Sequence, residues 1–559
     1  MAVSLHKKLI RGHVYWYARE CQRVEGQPRI VWQKYLGKAE AIAAAVGAPT
    51  AAPKPHEVVL AEFGAAAALY DLTTQLDLIA TIDRHAGKRA QGVSVGTYIT
   101  LAALNRCLAP TSKARLAEWY EGTVLRRLLP VPAARLTSQR FWEHMSYLDA
   151  DKIAAIEYDL TDTLIKRFRI DLSCLLYDTT NFATFIDSFN EASTLAQRGK
   201  SKQKRSDLRL VGLALLVTRD FHIPLFHHVY AGNAHDAPTF ASVTERLVDR
   251  YRLFAQHVEG ITLVYDKGNN SEPNQRAVDA TPYHFVGSLS PAQHPDLLAV
   301  PRDNFRPLTG ADLTGEFVWR TRKRVLGADR TLLVTYNPEL FLTQSTTILR
   351  ELRKATQRLK DLERHLSTPS RGPARTRAAV EKDIREILHA RHLKELVRVT
   401  LTDSPTLALQ YEVDQTAWTQ LQETLLGKSV LFTDQDGWPD EEIVRAYRSQ
   451  YHIEEAFKRM KDPHFVSWRP LHHWTDQKIR VHAFYCVLAL LLAALLRRTL
   501  AHQQLTLSIT QILETLSNIK EVALVYPGRA RAPQITYNRL TPLQRQLMAT
   551  LELARFQQP

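Results

Sequence analysis

Three acidic residues stand out by where they fall rather than by type. Asp178 follows the short apolar run Leu172–Tyr177, Asp266 follows a second run, Ile261–Tyr265, and Glu454 lies far downstream in a helical stretch. Both runs read as buried strands that deliver an aspartate at the C-terminal end. If the two strands are adjacent and parallel, both carboxylates reach one edge of a sheet. Hard oxygen ligands on rigid elements, with positions left for water and phosphate, suit Mg²⁺ or Mn²⁺. Two such ions can activate a water or a 3′-hydroxyl and stabilise the leaving oxygen in line. Taken singly, each aspartate reads equally well as a strand-end turn or a helix cap.

The glutamate belongs to a stretch running from Tyr447 to Lys461. Read as one continuous helix, it places Ile453, Phe457 and Met460 on an apolar face that packs on a core. Tyr447, Gln450, Glu454 and Lys461 share a neighbouring face, with Lys458 at its edge. A carboxylate ringed by a phenol, an amide and ammonium groups suits an acid that holds a metal beside phosphate-binding donors. The plain alternative is a solvated face carrying Glu–Lys pairs. Glu455 competes for the role but lies about 100° further round the helix, away from Tyr447 and Lys461.

The elements that must position these residues change character along the chain. Residues 13–36 read as a hairpin of aromatic and β-branched runs. Its interleaved Arg, Lys and aromatic residues could touch nucleic acid, or could simply pack their rings within a small sheet. An Ala/Pro linker follows at 48–56, then a helical pattern over 57–168. From 171 the pattern is α/β: strands at 172–177, 208–219, 223–230 and 261–265, a basic loop at 198–205, and a helix from Asp236 to about Leu253. Strand-like pieces at 317–320 and 331–336 and a helix over 346–366 with leucines at heptad spacing interrupt that layout. A second helical arm at 375–393 completes a hairpin that reads as a structural arm or a self-association element. A last strand at 429–434 precedes the glutamate helix.

The composition, 45% hydrophobic and 23% charged residues over 559, is that of a soluble globular protein of several domains. The net charge of +15 favours a polyanionic partner, nucleic acid before membrane. Four scattered cysteines without a CxxC pair argue against a disulfide scaffold and a thiolate zinc site, and the adjacent pairs His227-His228 and His472-His473 are poorly disposed to share one metal. The apolar run Val481–Leu496 is shorter than a membrane span needs and reads as a buried core helix. With no apolar segment near Met1 to act as a secretory signal, a cytoplasmic location is expected.

In this order, the motifs resemble the DDE transposases of bacterial insertion sequences, specifically the insertion-sequence-four-type class, whose glutamate lies in a Y-x2-R-x3-E-x6-K signature. Tyr447, Glu454 and Lys461 match that signature; Gln450 stands where the class has arginine, with Arg448 and Lys458 as neighbours able to supply the charge. Tyr177-Asp178-Thr179-Thr180, Gly232-Asn233 with Asp236, Asp266-Lys267-Gly268, and Arg469-Pro470-Leu471-His472-His473-Trp474 resemble the remaining blocks. The resemblance covers residues 170–500. It implies an α/β fold with an RNase H-like catalytic core at 171–279 and 429–500 and an insertion domain at 280–428. Residues 1–48 would be an N-terminal β-hairpin region, 57–168 a helical DNA-binding domain, and 501–559 a C-terminal helical region.

The resemblance also implies Asp178, Asp266 and Glu454 as catalytic metal ligands for two Mg²⁺ or Mn²⁺ ions. Tyr447, Gln450, Lys458 and Lys461 would contact DNA backbone. Trp319 is the candidate to stack on a flipped base, unless it packs in a core. The implied activity is cut-and-paste transposition by a homodimer acting on double-stranded DNA, both terminal inverted repeats and target. Two alternatives remain open from the residues: a metal-dependent nuclease without strand transfer, and an inactive DNA-binding relic.

Overall fold

A computed structural model describes residues 3–24, 27–47, 55–187, 189–199, 207–234, 271–368, 375–403, 407–526 and 533–557, together with 243–266 except 244, 245, 247, 249, 251, 257 and 258. The helix expected from Asp236, the Lys267-Gly268 pair and most of the basic loop at 198–205 and of the 48–56 linker lie outside the described residues.

Strand sequences without polar alternation are those buried on both faces. Leu210–Thr218 (β6) is such a run, buried at every position, and it lies within a nine-stranded sheet. The other strands are Cys174–Ala183 (β5), Pro224–Ala231 (β7), Thr262–Tyr265 (β8), His284–Leu289 (β9), Arg306–Pro307 (β10), Phe317–Val325 (β11), Ala328–Tyr336 (β12) and Lys428–Thr433 (β15). Their order is β10-β11-β12-β15-β9-β8-β5-β6-β7. The pairs β5–β8 and β8–β9 are parallel, and the remaining pairs are antiparallel.

The strand expected at 429–434 exists as β15, and β9, which pairs with both β8 and β15, falls inside the segment expected as an insertion from 280. Strands β10, β11 and β12 likewise join the main sheet, because β12 pairs with β15 from Thr331↔Thr433 to Tyr336↔Lys428. The part of this segment with a core of its own is narrower. The helix Pro338–Ser367 buries Leu352, Ala355, Leu359 and Leu362 against Val380 and Ile387 of the helix Arg377–Ile387. Leu409 of the hairpin Val397–Thr402 (β13) and Ala408–Val413 (β14) completes that cluster. The long helix starts earlier than the heptads suggest, since Asn337 caps it by accepting from the Leu340 amide (2.9 Å) and Phe341 in its first turn packs against the same cluster.

The helix Asp476–His502 holds the other layer. It is apolar and long enough to cross a membrane, yet 94% of its most apolar window is buried in the protein. It packs on the helix Val95–Leu108, itself buried along its length, where the Cys107 thiol donates to the Ala489 carbonyl (3.2 Å). Helices of the 64–163 segment therefore share one compact unit, Ala61–Lys520 with Arg539–Gln558, with the sheet. A second unit comprises the chain up to Leu60 and Glu521–Asn538. It contains a three-stranded antiparallel sheet of Val3–Ile10 (β1), His13–Val24 (β2) and Gln27–Gly37 (β3), one strand more than the expected hairpin. Glu57–Glu62 (β4), Lys520–Val525 (β16) and Gln534–Tyr537 (β17) form a second three-stranded sheet in the order β17-β16-β4.

Close backbone approach explains one of the glycines. A Cβ on Gly232 would lie 1.9 Å from the Leu210 carbonyl oxygen, and one on Gly199 would lie 2.4 Å from the Gly232 carbonyl. Gly232→Ala is therefore expected to destabilise the protein by roughly 2 kcal/mol or more, read as a lower denaturation midpoint. Unchanged stability would show that the β6–β7 end can open without cost.

Candidate active site

The parallel pairing of β5 with β8 runs Cys174↔Thr262, Leu175↔Leu263, Leu176↔Val264 and Tyr177↔Tyr265, and stops there. Both tyrosines of the last pair are buried, and Asp178 and Asp266 come next on their strands. Neighbouring strands lie about 4.8 Å apart, so in-register residues are side by side. Asp178 is not at a strand end, as expected, but in the middle of β5. Antiparallel pairing with β6 carries β5 on to Ala183↔Leu210 after β8 has ended. Beyond Tyr177, β5 thus has no strand partner on the β8 side among the described residues.

The stretch expected as one helix is two, Asp440–Arg448 and Gln450–Lys461, meeting at Ser449, whose hydroxyl donates back to the Ala446 carbonyl (2.6 Å). The first carries Tyr447. Its hydroxyl lies 3.1 Å from Asp266 Oδ1 and 2.7 Å from Ser288 Oγ on β9. With one proton to give, it donates to the carboxylate and accepts from the serine. Burial, followed by the Asp266 charge and, among the smaller causes, that of Glu454, pushes the phenol far above its ordinary range, so Tyr447 stays a neutral donor.

The second helix lies over β5. Gln450 is buried, and its amide donates to the Tyr177 carbonyl (3.3 Å), while its own Oε1 has no partner. The expected DNA donor at this position is thus a buried clamp. Lys461 donates to Thr180 Oγ1 on β5 (2.7 Å) and lies over the Phe182 ring. Glu454 is exposed, 4.0 Å from Lys458, which is also exposed and sits over the Tyr451 ring. Glu455 faces elsewhere: Arg459 holds it at 2.9 Å, its carboxyl below the usual range despite partial burial.

Asp266 has no cationic partner among the described residues; its neighbour is a phenol. A half-buried carboxylate left uncompensated, beside Asp178 and near enough to Glu454 for both charges to act on Tyr447, is a donor set that fits a hard divalent cation. Among the described residues, no three His, Cys, Asp or Glu side chains converge closely enough to hold an ion as they stand. The histidine pairs form no such site either: His227 bonds Glu157 (2.5 Å), and His472 faces the Phe185 carbonyl.

The fold does not bring Trp319 to this group. It is half-buried on β11 opposite Val334, five strand positions from β5, roughly 24 Å across the sheet. Arg448, a candidate to replace the missing arginine, is paired with Glu316. Ser288 was invisible in the sequence, because nothing around it marks β9 as the strand beside Asp266. Thr180 stood in the first-acid motif but without an assigned role.

The base of the Tyr447 helix is pinned by Arg306, 2.6 Å from Asp440 and 2.9 Å from Glu441. The bond to Arg306 is the main reason that Glu441 is held down to about 2 from its usual 4.5. A depressed carboxyl stabilises the fold above its unfolded value, and that contribution is lost as pH falls from about 4.5 through about 2. Arg306→Ala should flatten this part of the stability–pH curve, measured by denaturation at stepped pH. For the clamp, Gln450→Ala should cost about 1–2 kcal/mol in urea denaturation, against less than about 0.5 for exposed Lys458→Ala. Equal effects would remove the distinction between clamp and surface residue.

Comparison with known proteins completes the site. A solved synaptic complex of piggyBac transposase with hairpin DNA aligns with 80% of this chain and 79% of its own at 9% identity and a TM-score of 0.37. No curated protein matches the chain. The family model described as the transposase DDE domain matches residues 171–492, more than half of the sequence and the whole span from β5 to the core of the helix Asp476–His502. The chain belongs to the transposase DDE domain family.

Proposed function

We propose that the protein is a cut-and-paste DNA transposase of the insertion-sequence-four-type class. The observation that carries the reading is that Asp178 and Asp266 each follow directly on the last parallel pair, Tyr177↔Tyr265, with the Glu454 helix clamped to β5 by Gln450 and Lys461. The strand order β7-β6-β5-β8-β9, with β6 antiparallel to β5, supports an RNase H-like core. The segment from β10 to β15 is then the insertion before the glutamate helix.

On this reading Asp178, Asp266 and Glu454 hold Mg²⁺ or Mn²⁺, two ions as the class implies. Bound there, the ions would supply a nucleophilic oxygen and stabilise the leaving one. The chain's own residues position the substrate. Lys461 and Tyr447 hold a backbone phosphate beside the cleaved end, and Lys458 supplies the cation that the class places at position 450. The net charge of +15 draws in double-stranded DNA, both terminal inverted repeats and target. The enzyme acts as a homodimer in the cytoplasm, freeing 3′-hydroxyls at the element's ends and joining them to target DNA.

Asp178→Asn, Asp266→Asn and Glu454→Gln should each lower cleavage of a supercoiled plasmid carrying the element by at least roughly a thousandfold while retaining DNA binding, and Glu455→Gln should cut normally. Chelation should stop cleavage, and added Mg²⁺ restore it. Normal cutting by any one of the three variants would overturn the assignment. Pre-cleaved ends incubated with a supercoiled target test the joining step: absence of joined products would reduce the protein to a nuclease.

A further inference from the structure

The sheet of β1, β2 and β3 has two unlike faces. Strand alternation puts successive side chains on opposite sides, and the register fixes which residues share one. Tyr17 lies opposite His6 and Tyr35, Tyr15 opposite Lys8, and Arg19 opposite Ser4 and Gln33. With Arg23 further along β2, this face carries Lys8, Arg19, Arg23 and two histidines, and no carboxylate among the described residues. The other face pairs Leu5 with Ala18 and Leu9 with Val14; it carries Lys7, Lys34 and Arg29 as well, but also Glu20 opposite Trp32.

The cationic face is organised rather than scattered. Tyr35 packs against Tyr15 and Tyr17 with ring centroids 6.0 and 5.3 Å apart. Arg19 lies over Tyr17 at 5.9 Å and donates to Gln33 at 2.7 Å. Among the described residues, neither the Lys8 ammonium nor the three phenol hydroxyls have a protein partner. The rings form a floor that holds donors outward, with Tyr35 itself 54% exposed. Three strands span roughly 10 Å between outer backbones, and the DNA major groove is about 12 Å wide.

We propose that the face of β1–β3 bearing Lys8, Arg19, Tyr15, Tyr17 and Tyr35 is a double-stranded DNA-binding surface that seats the sheet in a groove of the duplex. Lys8, Arg19 and Arg23 meet phosphates, and the phenols and Gln33 face base edges. The proposal rests on the transposase reading for its biological substrate, the element's ends. Its physical basis, a carboxylate-free cationic face of groove width, is separate.

The test uses the full chain and a short fluorescent DNA duplex, with duplex RNA and single-stranded DNA of the same length as competitors. Lys8→Ala with Arg19→Ala removes two charges from the proposed face; Lys7→Ala with Lys34→Ala removes two from the other. The first pair should weaken duplex binding roughly tenfold or more and lower the salt dependence by about two phosphate contacts, and the second should stay within about threefold. Lys8→Arg with Arg19→Lys should restore binding, and equal melting temperatures should confirm folding. Equal losses from both pairs, no loss from the first, or tighter face-dependent binding to duplex RNA would overturn the proposal. Asp178→Asn separates the two readings. If it still cuts, the catalytic assignment falls and the sheet result stands. If it does not cut while the Lys8/Arg19 pair binds normally, only the sheet proposal falls.

Discussion

Four backbone pairs between β5 and β8, ending at Tyr177↔Tyr265, are the constraint on which the site depends. Parallel strands that end together release their next residues at one place, and burial of both tyrosines anchors the release point. The asymmetry that follows matters as much. β8 stops while β5 continues along β6 for six more pairs, so beyond Tyr177 this edge of β5 has no strand partner among the described residues. The Glu454 helix occupies that edge, tied to β5 at Tyr177 and Thr180 by its own Gln450 and Lys461. A one-residue slip of β5 against β8 would send the two aspartates to opposite faces.

Charge balance completes the logic. Most partly buried carboxylates nearby are neutralised by arginine: Glu441 and Asp440 by Arg306, Asp440 also by Arg320, and Glu316 by Arg448. Asp266 instead meets a phenol that burial and neighbouring carboxylates keep protonated. The internal ion pairs thus lock the Tyr447 helix and its surroundings, while Asp266 has no cationic partner among the described residues.

The sheet is extended rather than interrupted between β9 and the glutamate helix. Strands β10, β11, β12 and β15 continue it, and only the helices and hairpin between β12 and β15 build a core of their own. This explains why Trp319 sits far from the acids in its own chain: it is on a strand of the extension, not on an element folded back over the cleft.

The acids and their order, the buried strands around them, the heptad-bearing helix and the core helix at 481–496 were legible in the sequence, because apolar runs and their periodicity reflect burial directly. So was the placing of Glu454 and Glu455 on different sides of their helix, although the single helix that suggested it proved to be two, meeting at Ser449. Only the tertiary structure decided that β9 pairs with both β8 and β15. It alone turned Gln450 from a surface donor into a buried clamp and brought Ser288 to Tyr447. Strand order and cross-sheet partners depend on contacts between residues distant in the chain, and local patterns of polarity carry no record of which strand pairs with which.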